Sequence, residues 1–448
     1  MDAEQTAHHV VAVIGGAVAG AQVASILAEG GARCVVFEQG IRPFGKIEDG
    51  LPSWHSGLRD KEVAKITELL SHPRISFVPS TKIGRDIEFK SLVEEWGFSA
   101  VVLANGVWRD RPLPIPNAER FVGKGLIYQN PLIKSFNHTD DASFDGERID
   151  IPDGALVVGG GLASIDMAKL VMLHHTQKKL AERGYEIDFE ELEKKGLPKA
   201  CEEAGVSFES LGIEGATLIY RRAVEDMPVA SAPPGADEAR MEKVRASRKK
   251  ILDKAMDKFL FRFEPLASPV SAIEEDGRLV GLELARMHTG ASGKLEPTGE
   301  TFELRGNAVI SSIGSIPEPI PGIDMKGELF AFSDWELGQL DGMPTVFSAG
   351  NVVTGKGNII ASRKHSSQIG QHLSEAFLGL GGDRSEMDLA EPIHARAAHR
   401  AEGIAINIAQ LPAASEATEK AILDRVAARH AEIGYPGTVQ AWLDAHPR

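Results

Sequence analysis

The sequence predicts an α/β protein with two Rossmann-like dinucleotide-binding domains and a helical C-terminal extension. Two glycine fingerprints, Gly15-x-Ala17-x-x-Gly20 and Gly159-x-Gly161-x-x-Ser164, each follow an apolar segment and precede a helical pattern. Short apolar runs alternate with amphipathic segments along most of the chain, which favours parallel, doubly wound sheets. The 448 residues exceed the size of a single hydrophobic core, so more than one domain is expected.

The first βαβ unit is predicted as a strand over 10–14, a helix over about 18–30 and a strand over 33–38. Glu38 ends the second strand, about 20 residues beyond the fingerprint, where a carboxylate binds ribose hydroxyls. Ala17 replaces the glycine that lets the backbone approach a pyrophosphate closely. The unit predicts a nucleotide at the helix N-terminus; the alternative is a purely structural βαβ unit.

The first domain continues with helices over about 60–70 and 88–96 and strands over 75–78 and 100–103. The loop between the first unit and these elements, 39–59, carries Trp54 and His55. A histidine there is a candidate proton carrier or nicotinamide neighbour, because imidazole changes charge near neutral pH. A surface histidine without a role is the alternative.

The second unit is predicted as a strand over 155–158 and a helix over 162–174. A charged stretch, 176–210, then interrupts it as inserted surface helices before a strand over 216–220. Arg221 and Arg222 follow that strand, where an NAD site would place an acid. Their forked donors suit a 2′-phosphate and predict NADP; a solvated arginine pair is the alternative.

Later segments complete the prediction. A basic helix over 240–258 presents a solvated face or docks an acidic partner, and short antiparallel strands follow over 259–311. The segments 101–106 and 308–314 resemble crossings between domains, and the loop 348–360 leads into a helix whose amides would face an isoalloxazine. The predicted boundaries are 1–106 and 313–380 for the FAD-binding domain, 107–312 for the NADP-binding domain and 381–448 for the helical extension.

Composition excludes several function classes. The net charge of −15 disfavours a nucleic-acid groove or an anionic membrane surface. The N-terminal segment lacks a signal-peptide pattern and no apolar run has membrane-spanning length, so a cytoplasmic protein is expected.

Two cysteines, Cys34 and Cys201, are too few for an iron–sulfur cluster and fit no redox motif, and no metal site is predicted. Cys34 is expected to be a buried structural thiol, and the oligomeric state stays open.

Several stretches together resemble the adrenodoxin reductase-like ferredoxin–NADP reductases, flavoproteins with two dinucleotide-binding domains, over residues 10 to about 380. They are Pro43-Phe-Gly-Lys46, Ile83-Gly-Arg-Asp-Ile87, Ala100-Val-Val-Leu-Ala-Asn-Gly106 and Gly159-Gly-Gly-Leu-Ala-Ser-Ile-Asp166. Tyr220-Arg-Arg-Ala-Val-Glu-Asp-Met-Pro228 is more similar to the glutamate synthase small subunit, a related flavoprotein. The chain lacks the cysteine-rich cluster module of that subunit.

The resemblance implies an FAD-dependent NADPH oxidoreductase that passes electrons to ferredoxin or another iron–sulfur protein, with His55 in the active site. The nearest alternatives are an NADPH-oxidising subunit of a larger enzyme and direct reduction of a small molecule at the flavin. An alternative of a different class is a non-catalytic redox sensor that binds both nucleotides. By this resemblance FAD would be held by Gly15, Gly20, Glu38, Gly350, Gly357, Asn358 and Ile359, and NADPH by Gly159, Gly161, Arg221 and Arg222. The further candidates for cofactor binding are Ala17, Ala19, Gly45, Lys46, Lys82, Ala104, Asn105, Gly106, Leu162, Ala163, Gly314 and Asn351.

Overall fold

The computed structural model describes residues 9–142, 144–233, 235–290, 293–355, 357–380 and 413–448. The chain divides into two units: unit 1 comprises 1–48, 57–109 and 316–448, and unit 2 comprises 49–56 and 110–315. Among the described residues, no helix combines the length and the apolar character that a membrane span requires.

Unit 1 is built on a seven-stranded sheet in the order β17-β18-β19-β4-β1-β2-β3. The strands are β1 (Val10–Ile14), β2 (Arg33–Phe37), β3 (Ile75–Val78), β4 (Ala100–Leu103), β17 (Phe332–Asp334), β18 (Gln339–Leu340) and β19 (Val346–Ser348). Strands β3, β2, β1, β4 and β19 pair in parallel, and β18 pairs antiparallel with both of its neighbours. Every residue of β1 is buried, as expected for a parallel strand covered on both faces.

The helices of unit 1 follow the predicted order. They are α1 (Val18–Glu29), α2 (Lys46–Asp49), α3 (Ser56–Leu70), α4 (Phe89–Glu94), α10 (Asn351–Thr354), α11 (Ile359–His372), α12 (Glu416–Ile433) and α13 (Val439–Ala445). The last two confirm helices in the described part of the C-terminal extension, whereas the predicted helical residues 386–412 lie outside the described residues.

Unit 2 contains a five-stranded parallel sheet in the order β6-β13-β7-β8-β9 and an antiparallel sheet β10-β11-β12. The strands are β6 (Leu126–Tyr128), β7 (Ala155–Val158), β8 (Ala216–Tyr220), β9 (Arg262–Pro265), β10 (Ala267–Glu275), β11 (Arg278–Thr289), β12 (Leu295–Arg305) and β13 (Ala308–Ser311). The helices are α5 (Gln129–Asn137), α6 (Leu162–Ala181), α7 (Phe189–Lys195), α8 (Leu197–Glu203) and α9 (Glu238–Phe259). The remaining short strands form two pairs, β5 (Arg109–Asp110) with β14 (Ser315–Ile316) and β15 (Met325–Lys326) with β16 (Leu329–Phe330).

The charged insertion is more integral to unit 2 than its composition indicates. Helix α6 extends to Ala181, seven residues beyond the predicted end at 174, because Thr176 and Leu180 are fully buried. Helices α7 and α8 place Leu192, Leu197 and Cys201 in the apolar core of the unit. Most of their charged residues lie on the outer face, so a narrow apolar stripe packs inward despite the high Lys and Glu content of the segment.

Residues 49–56 belong by their contacts to unit 2, although the sequence places them within the first domain. The Trp54 ring lies 5.6 Å from the ring of Phe136 and 5.6 Å from that of Phe189. The Asp49 carboxylate lies 2.9 Å from the Lys134 ammonium. Aromatic packing and this ion pair therefore fix the segment that carries His55.

Candidate functional site

The first fingerprint forms a tight turn between β1 and α1 that depends on glycine. Gly15 has a φ of +103° and its N–H donates to the Phe37 carbonyl at 2.7 Å. A Cβ at Gly15 would lie 2.6 Å from the Ala104 carbonyl oxygen, and a Cβ at Gly20 would overlap the Gly15 carbonyl. The turn therefore brings Ala104, at the end of β4, against the start of α1.

Ala17, the departure from the glycine fingerprint, is accommodated by a second glycine. A Cβ at Gly45 would lie 3.0 Å from the Ala17 methyl group, and Gly45 has a φ of +48°. Ala17 is the N-cap residue of α1 and provides no side-chain cap. The absence of a side chain at Gly45, in the facing loop, therefore leaves room for the methyl group of Ala17.

Glu38 is 6% exposed and reaches back to the fingerprint turn. Its Oε2 accepts a hydrogen bond from the Gly16 N–H at 2.8 Å, and its Oε1 accepts one from the Gly40 N–H at 2.8 Å. Charge-assisted bonds to two backbone N–H groups are strong and hold the carboxylate in one orientation. The structure therefore places the Glu38 carboxylate at the fingerprint turn; its contact with ribose stays a prediction.

The later candidate residues of unit 1 lie against the same helix. A Cβ at Gly350 would lie 2.5 Å from the Ala19 methyl group, so the second part of the domain packs closely on α1. The Gly350 N–H donates to His365 Nδ1 at 3.0 Å, and burial lowers the pKa of His365. The neutral ring therefore carries its proton on Nε2, a buried atom without a partner among the described residues.

His365 was not singled out from the sequence. The available signal is a histidine on α11, the helix that directly follows the glycine-rich loop. Asn105 adds a further buried polar atom, because its Oδ1 has no partner among the described residues. Buried polar atoms without partners are uncommon in native proteins, and a polar ligand is one way to satisfy them.

Three further candidates are held by side-chain contacts within unit 1. The Lys46 ammonium lies 5.6 Å from the centre of the Trp108 ring, and Lys82 forms a 2.8 Å ion pair with Glu318. Asn358 caps α11, because its side chain accepts from the Ala361 N–H at 2.6 Å. The remaining candidates in this region are Gly106 with a φ of +69°, Asn351, whose side chain accepts from the Gly357 N–H at 2.7 Å, and Ile359, the first residue of α11.

The second fingerprint packs on both neighbouring strands of unit 2. The Ser164 hydroxyl donates to the Ser312 carbonyl at 2.9 Å, and a Cβ at Gly159 would overlap that hydroxyl. A Cβ at Gly160 would overlap the Tyr220 ring at the end of β8. In contrast, the space around Gly161 is open, and Leu162 is 55% exposed. The N-terminus of α6, which includes Ala163, is therefore accessible to an anion.

Arg221 and Arg222 lie at the edge of the sheet that carries this turn. Val158 of β7 pairs in parallel with Ile219 of β8, so the carboxyl ends of both strands meet at one edge. Arg221 is exposed and Arg222 is half-buried. Among the residues that the structure describes, neither guanidinium has an ion-pair partner, which leaves their charge available to a ligand.

Gly314, a further candidate for cofactor binding, belongs by its contacts to unit 2. It has a φ of +98°, and its carbonyl accepts a hydrogen bond from the Arg111 N–H at 3.0 Å.

His55 lies next to a buried charge network on α6. Its Nε2 is 3.6 Å from Asp166 Oδ2, and Asp166 Oδ1 is 3.3 Å from the Lys169 ammonium. Lys169, with its side chain 8% exposed, also pairs with Glu193 of α7 at 2.9 Å. The roles of Asp166, Lys169 and Glu193 in this network were not predicted from the sequence. The available signal is that Asp166 and Lys169 are charged residues in the otherwise apolar run 165–173.

Neither cysteine is a candidate redox group. Cys34 is buried, its thiol donates to the Ala24 carbonyl, and burial raises its pKa to about 12. Cys201 is buried on α8, and burial raises its pKa as well. Thiolates are the reactive form of cysteine, so these environments favour inert thiols. Across the described ranges, no group of three or more His, Cys, Asp or Glu residues is placed to hold a metal ion.

Comparison with known proteins confirms the predicted resemblance and fold class. The chain is 24% identical over 383 residues to the glutamate synthase [NADPH] small chain of Halomonas elongata, which covers 81% of this chain and 66% of that protein. It is 21% identical over 381 residues to the Escherichia coli protein of the same name, covering 79% of this chain and 65% of the relative. The chain thus spans slightly less than two thirds of the length of these relatives. No protein-family model matches the chain.

Among solved structures, Mycobacterium tuberculosis FprA in complex with NADPH superimposes with a TM-score of 0.68 at 18% identity, covering 95% of this chain and 91% of FprA. At this identity the likeness shows the fold alone. The chain therefore has the α/β fold with two dinucleotide-binding domains that the two fingerprints predict.

Proposed function

We propose that the protein is an NADPH-dependent flavoprotein oxidoreductase that binds FAD in unit 1 and NADPH in unit 2. The observation that carries the proposal is the pairing of two fingerprints with residues of opposite charge. Glu38, a buried carboxylate, accompanies the first fingerprint, and Arg221 and Arg222 accompany the second. A carboxylate selects ribose hydroxyls, whereas arginines select a 2′-phosphate, so the two sites suit two different nucleotides.

The residues of unit 1 fit FAD. The α1 N-terminus and the Gly15 turn would hold the pyrophosphate, and Glu38 would accept hydrogen bonds from the ribose. The buried Asn105 amide and the loop before α11 offer polar groups to the flavin. Gly15, Gly20 and Gly350 allow the close backbone approach that such a site needs.

The residues of unit 2 fit NADPH. The open N-terminus of α6 would take the pyrophosphate, and Arg221 and Arg222 would bind the 2′-phosphate. The relatives named above carry NADPH in their names, and FprA was solved with NADPH bound. These facts support the choice of nucleotide.

A flavin held by the Gly15 turn and Glu38 would supply the chemistry that links two-electron oxidation of NADPH to one-electron transfer onward. The chain's own contribution is to orient both nucleotides and to place His55 where it can hold a proton. Asp166 supports that role by position, because its carboxylate lies 3.6 Å from His55 Nε2. In this proposal the buried thiols of Cys34 and Cys201 stay protonated and take no part in electron transfer.

The proposed electron acceptor is an iron–sulfur protein such as ferredoxin, and the proposed location is the cytoplasm. A one-electron carrier is the natural partner of a flavin reduced by a two-electron donor. The second candidate is a flavoprotein subunit that feeds a larger enzyme, which the similarity to two glutamate synthase small chains favours.

Anaerobic stopped-flow reduction tests the proposal. The purified protein should show a flavin spectrum that NADPH bleaches rapidly, followed by turnover on an artificial acceptor and on one member of a ferredoxin panel. Absence of flavin binding, even after incubation with FAD, would refute the proposed function. Reduction without turnover on any ferredoxin, together with copurification of a larger partner, would support the subunit alternative.

A further inference from the structure

Two loops of unit 1 are bonded to Glu38, directly or through each other: residues 39–42 and residues 79–82. They are joined by backbone hydrogen bonds, since the Ser80 N–H donates to the Gly40 carbonyl at 3.0 Å and the Thr81 N–H donates to the Glu38 carbonyl at 2.8 Å. The Gly40 N–H in turn donates to Glu38 Oε1. The orientation of the carboxylate therefore depends on the positions of both loops.

Helix α12 of the C-terminal extension holds the second loop. Arg429 Nε donates to the Thr81 hydroxyl at 2.9 Å, and its Nη2 donates to the Ser80 carbonyl at 2.8 Å. His430 Nε2 lies 2.7 Å from the Phe77 carbonyl at the end of β3. Thr81 is 1% exposed, so the arginine satisfies polar groups that water reaches poorly.

Helix α13 and the residues after it hold the first loop. The Trp442 indole N–H donates to the Ile41 carbonyl at 2.7 Å, and Trp442 is 5% exposed. Arg42 Nη1 donates to the Pro447 carbonyl at 2.6 Å, while its Nη2 pairs with Glu48 at 2.8 Å. Two separate parts of the extension thus hold the two loops on either side of Glu38.

We propose that residues 413–448 act as a retaining element for FAD, with Arg429 and Trp442 as positioning residues. This rests on the proposed function, in which Glu38 of unit 1 binds the ribose of FAD. Loops that lose these bonds gain conformational freedom, which FAD binding must then remove at a cost in free energy. Loosening the extension therefore weakens FAD retention without altering any residue that contacts the cofactor.

The test compares the holoprotein with Arg429→Met, Trp442→Phe and the double variant, which keep most of the apolar packing. FAD release is followed by flavin fluorescence after dilution, and the FAD dissociation constant is obtained by reconstitution. We expect the double variant to weaken FAD binding about tenfold or more, as three lost hydrogen bonds imply. NADP⁺ binding by unit 2, measured by calorimetry, should stay within twofold.

Arg425→Met is the matched control. Arg425 lies on the same helix and its Nη1 donates to the Glu95 carbonyl at 3.1 Å, away from both loops. It should leave FAD release within twofold of wild type. Arg429→Lys should recover part of the lost retention, because a lysine still donates to the loop. If the double variant folds poorly, Thr81→Val removes the acceptor of the Arg429 bond from the other side and should weaken retention in the same direction.

Unchanged FAD release in the folded Arg429 and Trp442 variants, or equal weakening in Arg425→Met, would overturn the inference while leaving the proposed function intact. A wild-type protein that binds no FAD would instead refute the proposed function. The two failures are therefore distinguishable.

Discussion

Replacing Arg221 and Arg222 by alanine should remove the preference for NADPH over NADH. Arg222 is half-buried and its backbone is fixed, because its carbonyl accepts from the Leu266 N–H at 3.2 Å. A charge-assisted hydrogen bond from such a residue contributes about 1.5 to 3 kcal/mol. Arg221 is exposed, so solvent screening reduces its share to roughly 0.5 to 1 kcal/mol. Because each 1.4 kcal/mol is about tenfold, the pair should provide a preference of roughly 30-fold to several hundredfold.

Steady-state kinetics on an artificial acceptor measure this preference as the ratio of kcat/KM for NADPH to that for NADH. The double variant should lose affinity for NADPH and leave kcat/KM for NADH nearly unchanged, because NADH has no 2′-phosphate. Arg278→Ala combined with Arg305→Ala is the matched control. Both arginines are exposed residues on the antiparallel sheet of unit 2. Replacing them removes two positive charges, as the Arg221 and Arg222 substitutions do. Equal use of both nucleotides by the wild type, or a parallel loss of both in the double variant, would refute the assignment.

Three further predictions concern single sites. Glu38→Ala should weaken FAD retention by about tenfold or more, because it removes the carboxylate and frees two backbone N–H groups; retention equal to wild type would exclude Glu38 from the site. His55→Ala should lower the rate of flavin reduction more than it raises the NADPH dissociation constant, because lost orientation or proton transfer affects the chemical step; wild-type rates in the variant across the pH range near neutrality would leave His55 a surface residue without a catalytic role. Replacing Cys34 and Cys201 by serine should leave NADPH-dependent flavin reduction within about threefold, as expected for thiols kept protonated; its loss in a folded, flavin-containing protein would contradict that view.

Local sequence signals predicted the two nucleotide units well, because their determinants are close in the chain. The strand before each fingerprint is continuously apolar, and each turn requires glycine for a positive φ or a close approach. The position of Glu38 after β2 follows from the fixed length of a βαβ unit. These features act within about 30 residues, so one sequence suffices to place them.

Local sequence patterns did not predict the contacts between segments that are distant in the chain. The segment 49–56 was assigned to the first domain because it follows the first unit in the chain, but Trp54 packs with Phe136 and Phe189 of unit 2. The network of Asp166, Lys169 and Glu193 beside His55 joins three elements that no local pattern connects.

The sequence by itself determined the fold class, the two glycine turns and the residue types that distinguish the two proposed nucleotides. Only the tertiary structure decided that Gly45 accommodates Ala17, that the charged insertion contributes to the core of unit 2, and that the C-terminal helices hold the loops around Glu38. The physical reason is that backbone turns and strand burial follow from neighbouring residues, whereas packing and long-range hydrogen bonds arise only when segments distant in sequence meet in space.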